Sequence, residues 1–224
     1  MTVENGAATG GLERRKPGRD PMPEAMRARL VCDAAAHVFL RDGYVASRMD
    51  DVARVAGMSK RTLYQLYPSK AALFEATIAD VLAPLHLDTE MERDPDLRRS
   101  LNGILLAAAQ HLLSPAQSAI FRLVIAEGHR SPELAEAFHR VKLSRGASAL
   151  QRRLAVEIQA GRLKLADAGE ASRMLFGMVC GATQMMMLLG VCAAPETTDL
   201  AVLVRDAVEV FLGGALRQAS APVV

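Results

Sequence analysis

The amino-acid sequence predicts an all-α protein of about nine helices. Half of the 224 residues are hydrophobic but only 4% are aromatic, and Ala, Leu and Met, which favour helices, supply much of the apolar content. Runs of Val, Ile, Thr and Tyr that would favour strands are scarce. The chain is long enough for one large domain or two smaller ones with a buried core.

The N-terminal part begins with a tail and a long helix. Residues 1–20 are rich in Gly, Ala and charge and are predicted to be disordered. Apolar residues recur at helical spacing over residues 23–42, and Gly43 is expected to end this helix.

Two short helices follow, joined by a tight turn. Ser47 is the predicted N-cap of the first, with Asp50 three residues later, close to a capping box. Gly57 ends that helix after about two turns. Ser59 is the predicted N-cap of the second, which ends at Pro68.

The remainder of the chain is predicted to be helical. After Ser69, residues 71–85 form a fourth helix, which Pro84 is expected to kink. Ser114 and Ser131, each followed by proline, fit N-cap positions. Five further helices are predicted at about 96–113, 115–128, 132–160, 167–190 and 196–216.

Charge and cysteine content narrow the class of protein. Residues 1–70 hold 12 of the 27 Lys and Arg but 8 of the 25 Asp and Glu, which indicates either an anionic partner at the N-terminal end, nucleic acid or membrane surface, or ordinary scatter. The cysteines, Cys32, Cys180 and Cys192, form no CxxC pair, as expected for a reducing cytoplasm. No short metal-ligand spacing occurs, so neither a metal nor a cofactor is expected.

One apolar run suggests a membrane span as an alternative. Residues 174–194 have transmembrane length, and Gly177 and Gly181 form a GxxxG pattern. The polar Gln184 and the three glycines favour instead a helix buried in a bundle or dimer interface. The N-terminal residues contain no apolar segment typical of a secretory signal. We therefore expect no membrane partner.

The most informative segment is residues 47–74. Ala53 and Ala56 are small enough for two short helices to cross closely at the turn around Gly57. The second helix is too short to be stable alone, and its shape suits a DNA major groove. Its outer face carries Lys60, Arg61, Tyr64 and Gln65. The alternative interpretation is a solvated helical face with ordinary surface charges.

This segment resembles the DNA-binding domain of the TetR family of bacterial regulators. The resemblance covers about residues 23–75, roughly a quarter of the chain. The matching residues are Phe39, Gly43-Tyr44, Met49-Asp50-Asp51-Val52-Ala53, Ala56-Gly57-Met58-Ser59-Lys60-Arg61-Thr62-Leu63-Tyr64, Tyr67-Pro68-Ser69-Lys70 and Leu73-Phe74.

The resemblance implies roles for nine residues at the DNA. Lys60, Arg61 and Thr62 would lie at the N-terminal end of the recognition helix, and Gln65 would help to choose the sequence. Tyr64 would contact a phosphate. The set also includes Ser59, Tyr67 (which is expected to be partly core), Lys70 beside a phosphate at the start of the fourth helix, and Arg48 as a further phosphate contact. The basic residues 14–19 resemble a minor-groove arm, with a solubilising tail as the alternative.

The C-terminal part resembles the AefR-like subgroup of TetR C-terminal domains. The resemblance lies in residues 121–138 and 159–163 and extends over about 95–215. It implies an effector-binding and dimerisation domain but does not identify a ligand. Because most inward-facing residues are aliphatic, we expect an apolar or amphipathic small-molecule effector. Candidate effector contacts, each with a structural role as its alternative, are His111, Phe121, Glu127, Phe138, Met178 and Gln184.

The last two predicted helices are the candidate dimer interface. Two such helices from each subunit would form a four-helix contact around a two-fold axis. The stripe on the first is Met174, Met178, Ala182, Met185 and Leu189, and on the second it is Leu200, Leu203, Val204, Ala207, Val208 and Phe211.

The sequence therefore predicts a homodimeric transcriptional regulator that binds a palindromic operator in double-stranded DNA. The predicted organisation is a basic arm (1–20), a helix-turn-helix domain (21–70) and an effector-binding and dimerisation domain (71–224). A repressor released by its effector is the expected form, with an activator or co-repressed regulator as alternatives. An enzyme of small hydrophobic substrates is disfavoured, because GxSxG, GxGxxG and P-loop motifs are absent.

Overall fold

A computed structural model of the chain describes residues 22–82, 89–143 and 148–215. Within these ranges all regular elements of more than two residues are α-helices. In chain order they are α1 (Glu24–Asp42), α2 (Met49–Val55), α3 (Lys60–Leu66), α4 (Lys70–Val81), α5 (Thr89–Arg93), α6 (Leu97–Leu112), α7 (Pro115–Glu127), α8 (Pro132–Leu143), α9 (Ala149–Gln159), α10 (Ala168–Leu188) and α11 (Thr197–Ala215).

The predicted all-α class is confirmed, and the described part of the chain has two helices more than predicted. The helix expected over residues 132–160 is two helices, α8 and α9. A short helix, α5, precedes α6 and was not predicted. Gly103 of α6 lies under α5, because a Cβ there would be 2.9 Å from the sulfur of Met91. The absence of a side chain at Gly103 therefore lets α5 pack closely.

We call α1–α4 the head and α5–α11 the body. The head has a core of aliphatic side chains around three aromatic rings, those of Phe39, Tyr44 and Phe74. Phe74 packs edge-on against the other two rings, with centroids 5.3 Å from Phe39 and 5.0 Å from Tyr44. This geometry is favourable for aromatic quadrupoles. Leu63 of α3 is fully buried in the same core, so the core fixes α3 in the head.

The head core continues into the body through α7 and α8. Ile120 and Leu123 of α7 and Leu134 and Ala137 of α8 belong to the same buried cluster as the head residues. A second core joins α6, α9, α10 and α11 around Leu105, which is fully buried. The predicted boundary at residue 70 stays a prediction, and the shared core crosses it.

The start of α2 differs from the prediction. Arg48, not Ser47, is the N-cap residue, and its side chain makes no capping hydrogen bond. The Ser47 hydroxyl is buried and instead donates to the carbonyl of Tyr44 at 2.7 Å. Ser47 therefore stabilises the turn between α1 and α2 rather than the end of α2. The predicted caps at Ser59 and Ser114 are confirmed.

Among the described residues, no single helix is long and apolar enough to cross a membrane. The pair α6 and α7 meets the requirement only when taken together, by length and composition, and it bends by 55° between the two helices. The basic arm 14–19 and Pro84 lie outside the described residues.

Candidate nucleic-acid interface

Helices α2 and α3 form a helix-turn-helix. The turn depends on Gly57, whose φ of +65° is strained for residues with a Cβ. The N–H of Met58 donates to the carbonyl of Ala53 at 2.9 Å, which satisfies a terminal carbonyl of α2. Val52 and Ala53 on α2 are buried, so the inner face of this helix packs against the head core.

Ser59 starts α3 through its side chain. The Ser59 Oγ accepts the N–H of Thr62 at 3.1 Å and lies 2.8 Å from the Thr62 Oγ1. This cap satisfies one of the free N–H groups at the start of a helix of only seven residues. Both hydroxyls are thus engaged locally, and their contacts with DNA stay predictions.

The outer face of α3 is exposed and polar, as predicted. Arg61, Tyr64 and Gln65 are all exposed, and nearly half of the Tyr64 surface is open to solvent. Leu63, on the opposite face, is fully buried. The structure therefore presents these three side chains on one surface of a helix that is held from behind. Arg48, at the start of α2, is exposed as well.

Lys60 has a partner that was not predicted. Its ammonium lies 2.5 Å from the carboxylate of Asp50 on α2, and both side chains are more than half exposed. An exposed ion pair of this kind contributes little to stability. Its effect is on the charge of the surface, because Asp50 partly neutralises Lys60 and places a carboxylate beside α3.

Tyr67 is directed inward rather than towards solvent. Its hydroxyl lies 3.5 Å from the Sγ of the buried Cys32 on α1. Burial raises the pKa of the Tyr67 phenol well above its ordinary value, and burial also raises the pKa of the Cys32 thiol. This placement does not support the predicted DNA contact of Tyr67, because its polar end is used inside the head.

Lys70 also has an internal role. Its ammonium donates to the carbonyls of Tyr44 at 2.7 Å, Val45 at 3.2 Å and Ser47 at 3.1 Å. The same ammonium lies over the Tyr44 ring, 4.5 Å from the centroid. Burial lowers the pKa of Lys70, while Glu127 and the nearby Glu133 act in the opposite direction. Lys70 thus organises the α1–α2 turn, and its phosphate contact stays a prediction.

Of the six predicted effector residues, the structure brings Phe121 and Phe138 into direct contact, and the effector roles of all six stay predictions. His111 Nε2 lies 3.0 Å from Gln117 Nε2, and Phe121 stacks edge-on with Phe138, with centroids 5.1 Å apart. Met178 is exposed on α10, and Gln184 is half-buried farther along that helix.

Glu127 lies at the junction with the head. Its carboxylate accepts the N–H of Val45 at 2.8 Å. The carboxylate of Glu127 is thus bonded to the α1–α2 turn, and its effector contact stays a prediction.

Two cavities among the described residues have other linings. The larger, about 570 Å³, is bordered by seven charged residues, among them Arg153, Glu157 and Arg162. The smaller, about 260 Å³, lies between the ends of α6, α7 and α11 near Gln110 and Thr197. Neither contains a predicted effector residue, and the charged lining of the larger does not match the predicted apolar effector.

The exposed side of α10 matches its predicted stripe. Met174, Met185 and Leu189 are each more than half exposed, and Met178 is 43% exposed. A Cβ at Gly177 or Gly181 would meet nothing within 4 Å. This apolar surface has no cover within the described chain.

The prediction for α11 requires a correction. Leu200, Val204, Ala207 and Val208 are buried against the chain's own second core, and Phe211 is partly buried there. The four buried residues are not available to a partner, because α11 uses them to pack on the second core. Leu203 is exposed, together with Val202 and Val210, which the sequence pattern did not single out.

Sequence reasoning missed the contacts that join distant parts of the chain. The bond from Glu127 to Val45 spans 82 residues, and that from Gln117 to Val81 spans 36. Periodicity and capping rules describe local structure. A sequence signal for these contacts is that Gln117 and Glu127 are polar residues near the two ends of the largely apolar helix α7.

Two family models match the chain. Residues 31–77 match the model described as "Bacterial regulatory proteins, tetR family", which covers the helix-turn-helix. Residues 99–214 match the model of the C-terminal domain of AefR-like transcriptional repressors. Together they cover most of the head and most of the body.

Individual relatives agree with these models. The HTH-type transcriptional regulator SrpR of Pseudomonas putida is 29% identical over 105 residues, and the alignment spans 47% of this chain and only 48% of SrpR. A solved TetR-family regulator from Mesorhizobium loti superposes with a TM-score of 0.72 at 22% identity, over 86% of this chain and 98% of the other. The Flavonoid-responsive Regulator FrrA superposes with a TM-score of 0.68 at 25% identity, over 87% and 100%.

The M. loti match shows the fold alone, whereas the C-terminal family model spans more than half of the sequence. The structure agrees with the family models, because α2 and α3 form a capped helix-turn-helix with an exposed face on α3 and the body is helical. The chain belongs to the TetR family of bacterial transcriptional regulators and carries an AefR-like C-terminal domain.

Proposed function

We propose that this chain is a sequence-specific DNA-binding repressor that acts as a homodimer on a palindromic operator. The single observation that carries the proposal is the presentation of α3. Its exposed face holds Arg61, Tyr64 and Gln65, its start is capped by Ser59, and Leu63 anchors it in the head core. A short helix held in this way is the element that reads a major groove in helix-turn-helix proteins.

The side chains on α3 suit both kinds of contact. The Arg61 guanidinium can form a bidentate pair with guanine, and the Gln65 amide can form one with adenine. The Tyr64 hydroxyl and the exposed Arg48 suit phosphate oxygens. We assign no DNA contact to Tyr67, and we place Lys60, Thr62, Ser59 and Lys70 at the edge of the interface, since each already has a partner in the protein.

The apolar surface of α10 supports a dimer. A contiguous exposed stripe of methionine and leucine on one helix is typical of an interaction site. The open backbone at Gly177 and Gly181 would allow a second copy of α10 to approach closely. With Leu203 and Val210 of α11 alongside, two copies would form a four-helix contact. Two-fold symmetry would then place two copies of α3 about one helical turn apart on DNA.

The sign of regulation and the effector rest on the relatives. The C-terminal family model is described as that of a repressor, and FrrA is named for its response to flavonoids. We infer a small apolar or amphipathic effector that favours a dimer shape unsuited to DNA. Such a regulator acts where bacterial DNA lies, in the cytoplasm, and has no catalytic step.

Fluorescence anisotropy with labelled DNA tests the proposal. Duplexes from the region upstream of the gene are titrated across a salt series with the purified chain, with Arg61→Ala and with Arg98→Ala. Arg98 is an exposed body arginine paired with Glu209, so its loss changes the charge equally but not the interface. We expect Arg61→Ala to weaken binding by about 1–3 kcal/mol and Arg98→Ala to leave it unchanged. Equal effects of the two variants would contradict the assigned surface.

A further inference from the structure

The turn between α1 and α2 (residues 43–48) is held by charged side chains from two directions. Its carbonyls at Tyr44, Val45 and Ser47 all accept from the ammonium of Lys70, at the start of α4. Its N–H at Val45 donates to the carboxylate of Glu127, the last residue of α7. The hydrogen bonds of Lys70 lie within the head, whereas the hydrogen bond of Glu127 joins the head to the body.

Glu127 approaches the backbone of this turn very closely. A Cβ at Gly43 would lie 2.3 Å from the Glu127 Oε1, which is closer than any two such atoms pack. Gly43 also has a φ of +79°, where side chains are strained. The glycine is thus required both by the shape of the turn and by the carboxylate that lies against it.

The contact is reinforced by charge. Glu127 and Glu133 both act to keep Lys70 protonated, against the effect of its burial. Burial together with Glu133 raises the pKa of Tyr44 to about 12. A cation, two carboxylates and a phenol therefore surround the turn that leads into the helix-turn-helix. A hydrogen bond to a charged group is stronger than one between neutral groups.

Helix α7, which carries Glu127, forms side-chain hydrogen bonds to other elements near its start, in its middle and at its end. Near its start, the Gln117 Nε2 donates to the carbonyl of Val81 at the end of α4, 2.7 Å away. In its middle, the Arg122 guanidinium donates to the carbonyl of Met187 on α10. At its end, Glu127 holds Val45. A displacement of α7 relative to α10 would therefore be transmitted to two sites in the head, the end of α4 and the α1–α2 turn.

We propose that Glu127 is a positioning residue for DNA binding, whose carboxylate sets the orientation of the helix-turn-helix on the body. The inference rests on the proposed function and deepens it. In a dimer, the orientation of each head sets the spacing between the two recognition helices. The shared core also joins each head to its body, so loss of the carboxylate removes one of the contacts that set the angle of the head, without changing the surface of α3 itself.

A comparison of two DNA duplexes distinguishes a positioning role of Glu127 from a merely structural one. A duplex with the full palindrome needs both heads at the correct distance, whereas a duplex with one half-site needs only one head. The variants are Glu127→Ala, Glu127→Gln, whose amide carbonyl can still accept the Val45 N–H, and Glu136→Ala as the matched control. Glu136 is an exposed glutamate on α8 whose weak ion pair spans one helical turn.

We expect Glu127→Ala to bind the full palindrome about tenfold or more weakly, since a charged hydrogen bond is lost in each subunit. Its half-site affinity stays within about twofold of wild type, because one head suffices there. Glu127→Gln recovers most of the full-site affinity, and Glu136→Ala matches wild type. Equal losses on both duplexes, or no loss in Glu127→Ala, would overturn the inference.

A second measurement is independent of DNA. Hydrogen exchange of the Val45 amide, followed in the full chain without DNA, is expected to be about tenfold faster in Glu127→Ala and near wild type in Glu127→Gln. If Val45 exchange changes as expected but wild type binds no duplex better than random DNA, the proposed function is wrong. The role of Glu127 in DNA binding is then wrong as well. If wild type binds its site and Val45 exchange is unchanged, only the Glu127 inference fails.

Discussion

At the residue scale, the unexpected pair is Lys60 with Asp50. The carboxylate engages the ammonium at the edge of the surface proposed to face DNA. We predict that Asp50→Asn binds DNA more tightly than wild type, because Lys60 is released and a negative charge is removed from beside the phosphates. The slope of log affinity against log salt should steepen by about one phosphate contact. Anisotropy across a salt series measures both quantities.

Asp51→Asn is the matched control for this prediction. Asp51 is the next residue along α2 and pairs with Arg54 instead of Lys60. The charge change is the same, so any general electrostatic effect appears in both variants. If Asp50→Asn binds no more tightly than Asp51→Asn, release of Lys60 has no part in DNA binding.

A second residue-scale prediction concerns Glu157, which is buried between Arg153 and Arg162. Their guanidinium groups, Arg162 first, hold the pKa of Glu157 below its ordinary value of 4.5. A lowered folded-state pKa means that the carboxylate stabilises the fold above pH 4.5 and that this stability is lost as the pH falls through the lower value. Glu157→Gln should therefore cost about 3 kcal/mol at pH 7 and progressively less below pH 4.5.

Urea unfolding at several pH values measures this effect. Glu75→Gln is the control, because Glu75 pairs with Arg140 at the surface and its pKa is also lowered. An exposed pair should contribute at most about 1 kcal/mol. A cost for Glu157→Gln that does not change between pH 7 and pH 3.5 would show that packing, and not charge, accounts for its stability.

At the scale of the element, α3 depends on its cap. Ser59→Ala removes the acceptor for the Thr62 N–H and should lower the free energy of unfolding by about 1 kcal/mol. It should also weaken DNA binding, because the first turn of α3 carries the proposed contacts. Ser148→Ala removes an equivalent cap from α9 and should lower stability equally without weakening DNA binding. Urea unfolding measures the stability of both variants, and anisotropy measures their DNA affinity. An equal loss of DNA affinity in both variants would contradict the role of α3.

Helix positions were predictable where local chemistry determines them. Gly43, Gly57 and Ser59 mark element ends, because a positive φ or a side-chain cap is a property of the residue itself. Ser47 was wrong as a cap, since its hydroxyl has an alternative partner in the Tyr44 carbonyl. The separation of α8 from α9 was missed although the sequence carries a signal for it, because Gly146 and the Ser148 N-cap interrupt the apolar pattern.

The same limit applies to the candidate interface. The exposed face of α3 follows from its short amphipathic pattern, and it was predicted residue by residue. The inward placement of Lys70 was not predicted, and that of Tyr67 was predicted only in part, because each has a partner from a distant segment, the α1–α2 turn for Lys70 and Cys32 for Tyr67. Both are residues with an apolar stem and a polar end, whose orientation depends on tertiary packing.

At the scale of the whole molecule, the dimer surface on α10 is open to test. Met178→Glu places a charge on the exposed apolar stripe, where it would be buried without a partner in the proposed interface. We predict that this variant is monomeric in sedimentation experiments and loses affinity for a full palindrome.

Val156→Glu is the matched control, because Val156 is an equally apolar, exposed residue on α9. It should remain dimeric and bind DNA as wild type does. Dissociation of the Val156 variant instead, with Met178→Glu unaffected, would move the interface from α10 to another face of the body.

The central claim is that two copies of α3 read DNA together from one dimer. Its most direct test is selection of the purified wild-type chain on a random duplex library, with Arg61→Ala selected in parallel. We expect enrichment of a two-fold symmetric sequence with half-sites about one or two helical turns apart, and loss of that enrichment with Arg61→Ala. No enriched sequence with wild type, or the same sequence enriched with Arg61→Ala, would contradict it.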